Sequence, residues 1–236
     1  MKILHISDVH SVINPKLNSY LDGNKIDLII VSGDVTNFGP SEFALDFLNE
    51  LREKNINVIA IPGNCDIPEA VSAIEDSDAI YAHNKIIKFR DLIIYGFGGS
   101  NPTPFDTPLE FDEDTLYKQI NSLINRDSVD ISDSFADESL SQLTKNCTKI
   151  LLTHAPPHGG EADLIPGGAH VGSTAIEKII NEKDFDLNLC GHIHEAVSIS
   201  KIANTIVSNP GNLESNHGVL IEVNKDEILN IEIVDL

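Results

Sequence analysis

The stretch MKILHISDVH, residues 1–10, decides how this chain reads. Residues 2–7 (KILHIS) are a short run rich in Ile and Leu, and Asp8 and His10 follow at once. An apolar run of that length closed by polar turn residues reads as a buried strand. The same pattern recurs along the chain. Residues 26–32 (IDLIIVS) run into Gly33-Asp34, and residues 57–61 (NVIAI) run into Gly63-Asn64-Cys65-Asp66. Residues 149–153 (KILLT) lead to His154-Ala155-Pro156-Pro157, and residues 185–190 (FDLNLC) lead to Gly191-His192-Ile193-His194.

Helical patterns lie between several of these runs. Pro40 suits a first turn, with Phe43, Phe47, Leu48 and Leu51 on one face. Leu116, Ile120, Leu123 and Ile124 mark a second helix, and Thr174 with Glu177 reads as a capping box opening a third. Such alternation predicts an α/β fold with largely parallel central strands. Two regions break it. Residues 85–89 (KIIKF) and 92–96 (LIIYG) flank Arg90-Asp91 as a tight hairpin, and the chain beyond Ala196 carries three or four short strands without a helix. Together they predict a second, mixed or antiparallel sheet packed on the first. Residues 98–114 read as a long loop, residues 125–146 as a polar span with a short helix, and residues 1–236 as a single domain.

Composition narrows the function classes. Lys and Arg number 16 against 37 Asp and Glu, a formal charge of −21 that repels nucleic acid and anionic membranes. Bound metal ions reverse the sign locally, so a small phosphoester remains a suitable substrate. The three cysteines, Cys65, Cys147 and Cys190, form no CxxC pair and point to a reducing compartment. No 18-residue apolar run offers a membrane span, and the first strand leaves no room for a signal peptide. The expected setting is the cytoplasm. Oligomeric state is not readable.

The chemistry lies in the polar residues after each run. In an open α/β sheet the carboxyl ends of parallel strands share one edge, where ligands gather. Asp8, His10, Asp34, Asn64, His154, His192 and His194 therefore converge. Singly, each fragment is ordinary turn punctuation. In this order, each after a strand, imidazoles and carboxylates match a pair of divalent transition metals: Mn, Fe, Zn, Co or Ni, with Mn the first choice.

The series D-x-H, GD, GN, H and GHxH resembles the calcineurin-like metallophosphoesterases from Asp8 to about Asn212. The segment Ser208-Asn209-Pro210-Gly211-Asn212 is similar to the family's late turn, and residues 33–39 (GDVTNFG) are similar to small prokaryotic members. The Asp-Arg pair that protein Ser/Thr phosphatases carry after GD is missing. The resemblance implies a four-layer αββα sandwich with two mixed sheets. It implies one metal on Asp8, His10, Asp34 and His194, and a second on Asp34, Asn64, His154 and His192, with Asp34 bridging. It further implies attack of a metal-bound hydroxide on phosphorus without a protein base.

One position departs from that pattern. Many members read GNH, with the histidine assisting the leaving oxygen, whereas this chain reads Gly63-Asn64-Cys65-Asp66. A thiol is a weaker hydrogen-bonding acid than imidazole. General acid catalysis is worth about 10²–10⁴-fold, so its loss penalises poor leaving groups most and favours phosphodiesters over monoesters. GNCD also resembles a subgroup of small bacterial and archaeal phosphodiesterases. Asn64 and Asp34 are thus catalytic candidates beside Cys65, with His158 as a substitute proton donor on the cleft rim. The alternative reading is an interaction scaffold that kept the fold and lost the chemistry, as a retromer subunit resembling this family does.

Overall fold

The computed structural model describes residues 1–126 and 146–236. The first part alternates strictly: β1 (Lys2–Ile6), α1 (Pro15–Gly23), β2 (Leu28–Val31), α2 (Ser41–Glu53), β3 (Asn57–Ala60), α3 (Pro68–Asp76) and β4 (Ile80–Tyr81). These four strands pair in parallel in chain order. The hairpin follows as β5 (Lys85–Phe89) and β6 (Leu92–Phe97), turning on Arg90 at φ 49°. Then come α4 (Glu113–Ile124), β7 (Thr148–Thr153), α5 (Thr174–Glu182) and β8 (Leu187–Leu189). Four strands close the chain: β9 (Ser198–Ile202), β10 (Thr205–Asn209), β11 (His217–Asn224) and β12 (Glu227–Asp235).

The strands form two mixed sheets, ordered β12-β11-β1-β2-β3-β4 and β5-β6-β7-β8-β10-β9. Alternate side chains of a strand face opposite ways, and this builds the layers. Leu4 and Ile6 of β1 pack with Leu17, Leu21, Leu48 and Leu51 of α1 and α2. Ile3 of the same strand turns inward to the cluster of Ile94, Leu152 and Leu189, sandwiched between the sheets. On the far side Tyr95, Phe97 and Leu151 pack with Leu116 and Ile120 of α4 and Ile176 and Ile179 of α5. The result is the expected αββα sandwich.

Three details differ from the expectation. The five strands that precede the motifs do not share a sheet: β1, β2 and β3 lie in one, β7 and β8 in the other. The four C-terminal strands also divide, β9 and β10 joining the hairpin's sheet and β11 and β12 joining β1. An apolar run records that a strand is buried on both faces, not which neighbour it pairs with. The cap of α5 is Ser173, not Thr174, and its side chain accepts from Ile176 N. The carboxylate at this helix start comes from Glu113 of α4, which accepts from Ser173 Oγ at 2.7 Å and Ala175 N at 2.8 Å.

Helix α1 opens at Pro15 with Asn14 accepting from Lys16 N, and α3 opens at Pro68; both are short and lie outside the sequence expectation. The short helix expected within residues 125–146 lies outside the described residues. Among the described residues, no helix is long and apolar enough to cross a membrane.

Candidate metal centre

The loops leaving β1, β2, β3, β7 and β8 interlock through their backbones. Asp8 N donates to Gly33 O at 3.0 Å, His10 N to Asp34 O at 2.9 Å, and Gly191 N to His154 O at 2.9 Å. Asp8, His10, Asp34 and His192 adopt φ of 52°, 50°, 48° and 69°. Left-handed backbone is costly for such residues and persists where the surroundings enforce it. Two glycines permit the crowding. A Cβ on Gly63 would stand 2.0 Å from Asp34 Oδ1, and one on Gly191 would stand 1.9 Å from Ser7 Oγ.

The side chains then fall into two touching groups. In the first, His194 Nε2 lies 3.1 Å from Asp8 Oδ1 and 3.0 Å from His10 Nε2. In the second, His154 Nε2 lies 2.8 Å from Asn64 Oδ1 and 3.4 Å from Asp34 Oδ1. Asp34 reaches both, since its Oδ2 is 3.7 Å from His10 Nε2. His192 stands with its ring centroid 5.1 Å from that of His154, and its backbone N donates to Asp8 Oδ2 at 2.9 Å. All seven motif residues are therefore brought to one place.

The donor set fits divalent cations. His154 Nδ1 donates to Ser32 O at 2.8 Å, which orients the ring so that Nε2 faces the Asn64 oxygen at 2.8 Å. Two acceptors that close repel unless a cation or a proton joins them. His10 Nε2 and His194 Nε2 pose the same problem at 3.0 Å. Asp8 and Asp34 are buried, and among the described residues their charge partners are histidines.

Burial alone would raise Asp8, but hydrogen bonding to His10 and His194 holds it well below the usual carboxylate range. Burial likewise disfavours a charged His154, yet Asp34 and Asp8 draw it up to about 9. His192 is pushed down to about 4 by burial and by His154, so it stays a neutral lone-pair donor. The pocket attracts positive charge and presents the ligands to receive it. Carboxylate and imidazole groups of Asp8, His10 and His194, and of Asp8, Asp34 and His154, each lie close enough to hold one ion.

Cys65 sits beside this cluster. Its backbone N donates to Asp34 Oδ1 at 2.8 Å, while burial and the Asp34 carboxylate push its thiol up. His158 lies elsewhere on the loop after β7, with Nδ1 3.8 Å from Glu177 of α5 and its ring 5.6 Å from that of His170.

Several supporting residues escaped the sequence reading. Asp66 accepts from Gly63 N at 2.8 Å, Val35 N at 3.1 Å and Thr36 N at 2.7 Å, clamping the β2 and β3 loops together. Its carboxyl is raised to about 6 by burial and by Asp34. Thr107 accepts from Asn64 Nδ2 at 2.9 Å, and Glu110 accepts in turn from Thr107 N at 2.9 Å. Asp66 stood in the GNCD motif as a signal; Thr107 and Glu110 had none. In the late turn, Asn209 Nδ2 donates to Ile193 O at 2.9 Å, bracing the segment that carries His192 and His194.

Comparison with known proteins agrees with this geometry. Residues 1–196 match the family model described as calcineurin-like phosphoesterase. An uncharacterised protein of Methanocaldococcus jannaschii is 37% identical over 217 residues, covering 89% of this chain and 88% of its own. A solved structure from Thermus thermophilus shares the fold with a TM-score of 0.71 at 17% identity, covering 99% of this chain and 98% of its own. The NAD nucleotidase of Haemophilus influenzae shares it with a TM-score of 0.53 at 16% identity, over 99% of this chain and 49% of its own.

Proposed function

Because this chain belongs to the calcineurin-like phosphoesterases, which are metal-dependent phosphoester hydrolases, we propose that it uses two divalent ions to cleave a small phosphodiester. The observation that carries this reading is the placement of Asp34 between the two side-chain groups, one carboxylate oxygen toward His154 and the other toward His10. One ion is assigned to Asp8, His10, Asp34 and His194, the other to Asp34, Asn64, His154 and His192. Manganese is the proposed metal, and residues 1–236 act as one domain in the cytoplasm. When bound, the ions supply a water of lowered pKa as nucleophile and Lewis acidity toward the phosphoryl oxygens.

The chain's own residues set the stage. Asp34 holds both groups in register and is itself held by the Cys65 backbone N. Asn64 points its amide oxygen inward because Thr107 takes its amide hydrogen. Ser32 O orients His154. No donor of histidine type follows Asn64, so a leaving oxygen departs with weaker assistance than a histidine at that position would give, from water or from His158 on the loop after β7. Diesters with acidic leaving groups meet that condition better than monoesters, and no step in this reading requires His158.

Turnover of aryl phosphodiesters and monoesters by the Mn²⁺-loaded protein tests the proposal, with Asp34→Asn as control. We expect a higher kcat/KM for the diester and a loss of about 10²–10³-fold in Asp34→Asn, by analogy with removal of one electrostatic stabiliser. Absence of metal-dependent turnover on either class would sink the proposal and leave the scaffold reading.

A further inference from the structure

A cavity of about 670 Å³ opens beside the candidate metal centre, and His192 and His194 line it. Its volume suits a small organic ligand. Two loops supply the rest of its wall. Pro102, Pro104 and Phe105 come from the loop after β6, and Ile165, Pro166 and Val171 come from the loop after β7. Phe105, which lines the cavity beside Pro102 and Pro104, is 79% exposed. Among the described residues no Lys or Arg lines the cavity, and Glu195 adds an acid to it.

Both walls are braced. Thr103 Oγ1 donates to Glu110 at 2.6 Å and Thr107 N donates to the same carboxylate, so the Phe105 loop folds around one acid. That loop reaches the metal centre through Thr107 and Asn64. On the other side buried Asp163 accepts from Gly159 N and Gly172 N at 3.0 Å and pairs with His170 at 2.7 Å. Asn101 Nδ2 donates across to Val171 O at 3.3 Å, tying the two loops. The cavity is thus formed before any ligand arrives.

We infer that this cavity receives the organic group of the substrate, and that it selects an apolar or aromatic group without further negative charge. The inference rests on the phosphoesterase reading above. A phosphate with one charged neighbour, such as a second phosphate or a carboxylate, would meet Glu195 and find no cation away from the metals. A flat apolar group would instead cover Phe105 and the prolines and release the water on them. Phe105 is assigned as the main specificity-determining contact.

Monoanionic phosphonate methyl esters, which match the charge and substitution of a diester, test this without turnover. Calorimetric titration of the Mn²⁺-loaded protein with the monomethyl esters of phenylphosphonate, methylphosphonate and 4-carboxyphenylphosphonate, each named by its parent acid, compares the three groups directly. Phenylphosphonate is expected to bind about tenfold tighter than methylphosphonate, the scale of burying one ring, and tighter than its carboxylated analogue. Phe105→Ala removes most of that preference and leaves methylphosphonate affinity unchanged; its exposed position makes misfolding no concern. Equal affinity for phenyl and methyl groups, a preference for the carboxylated compound, or an unaltered preference in Phe105→Ala overturns the inference alone. Failure of all three to bind while aryl phosphodiester turnover persists overturns the inference alone; failure of both overturns the phosphoesterase reading with it.

Discussion

Gly63 and Gly191 show how tightly the candidate metal centre is built, because at each the missing Cβ is replaced by a carboxylate of the cluster or its neighbour. Gly63→Ala must displace Asp34, whose Oδ1 would lie 2.0 Å from the new methyl. We expect a stability loss of about 1–3 kcal/mol from the overpacking, with metal affinity falling further than stability. Urea unfolding and metal titration of the same variant check both parts. His5 makes a different prediction. It is buried between Ser32 and Ser208, at 2.8 and 3.2 Å, and links strands of the two sheets. Burial pushes it down from 6.5 to about 3, against a weaker opposing pull from Asp8. The unfolded chain therefore binds more protons at this position, so its contribution to stability is complete above about pH 6.5 and is lost as pH falls toward 3. His5→Gln should lose less stability than the wild type between pH 7 and pH 4. An equal loss would assign the acid sensitivity to other groups. At this scale the sequence was informative where the chemistry is local. Glycines and ligands stand side by side in GD, GN and GHxH, whereas Thr107 and Glu110 serve Asn64 from 43 residues along the chain.

Among the elements, α4 and α5 depend on each other more than their sequences disclose. Glu113, in the first turn of α4, accepts hydrogen bonds from the first turn of α5. Glu113→Ala leaves Thr174 N and Ala175 N without that carboxylate, and we expect a loss of about 0.5–2 kcal/mol, the range for a lost helix cap. Thermal unfolding measures it; an unchanged Tm would show that Ser173 alone suffices. The apolar runs announced every strand that carries a metal-site loop, because such strands are buried on both faces. They could not announce sheet membership. Ile94 and Leu152 look no different from Ile3 and Ile30 as sequence, yet they belong to opposite sheets of one shared core. The capping residue of α5 was misplaced by one for a related reason: its acidic partner lies 60 residues away and not three.

For the whole molecule, the two sheets matter because each brings part of the candidate metal centre. β1, β2 and β3 supply Asp8, His10, Asp34 and Asn64, while β7 and β8 supply His154, His192 and His194. Packing of the inner faces, with Ile3, Ile59, Ile94 and Leu152 fully buried, holds the halves in register. A site assembled this way needs no flexible closure to bring its side chains together, and it offers a place for cations in a chain whose net charge is −21. The convergence was legible from the order of motifs, since five strand-ending loops rich in Asp and His have few other ways to meet. The cavity wall was not, because loop shape depends on hydrogen bonds such as those of Glu110 and Asp163 that no local pattern encodes. If Asp34 joins two ions, stepwise Mn²⁺ titration of metal-stripped protein, followed by aryl phosphodiester turnover, will show it. Activity that climbs until two equivalents are bound and then levels is the predicted result; saturation at one equivalent, or no activity at any, would contradict it.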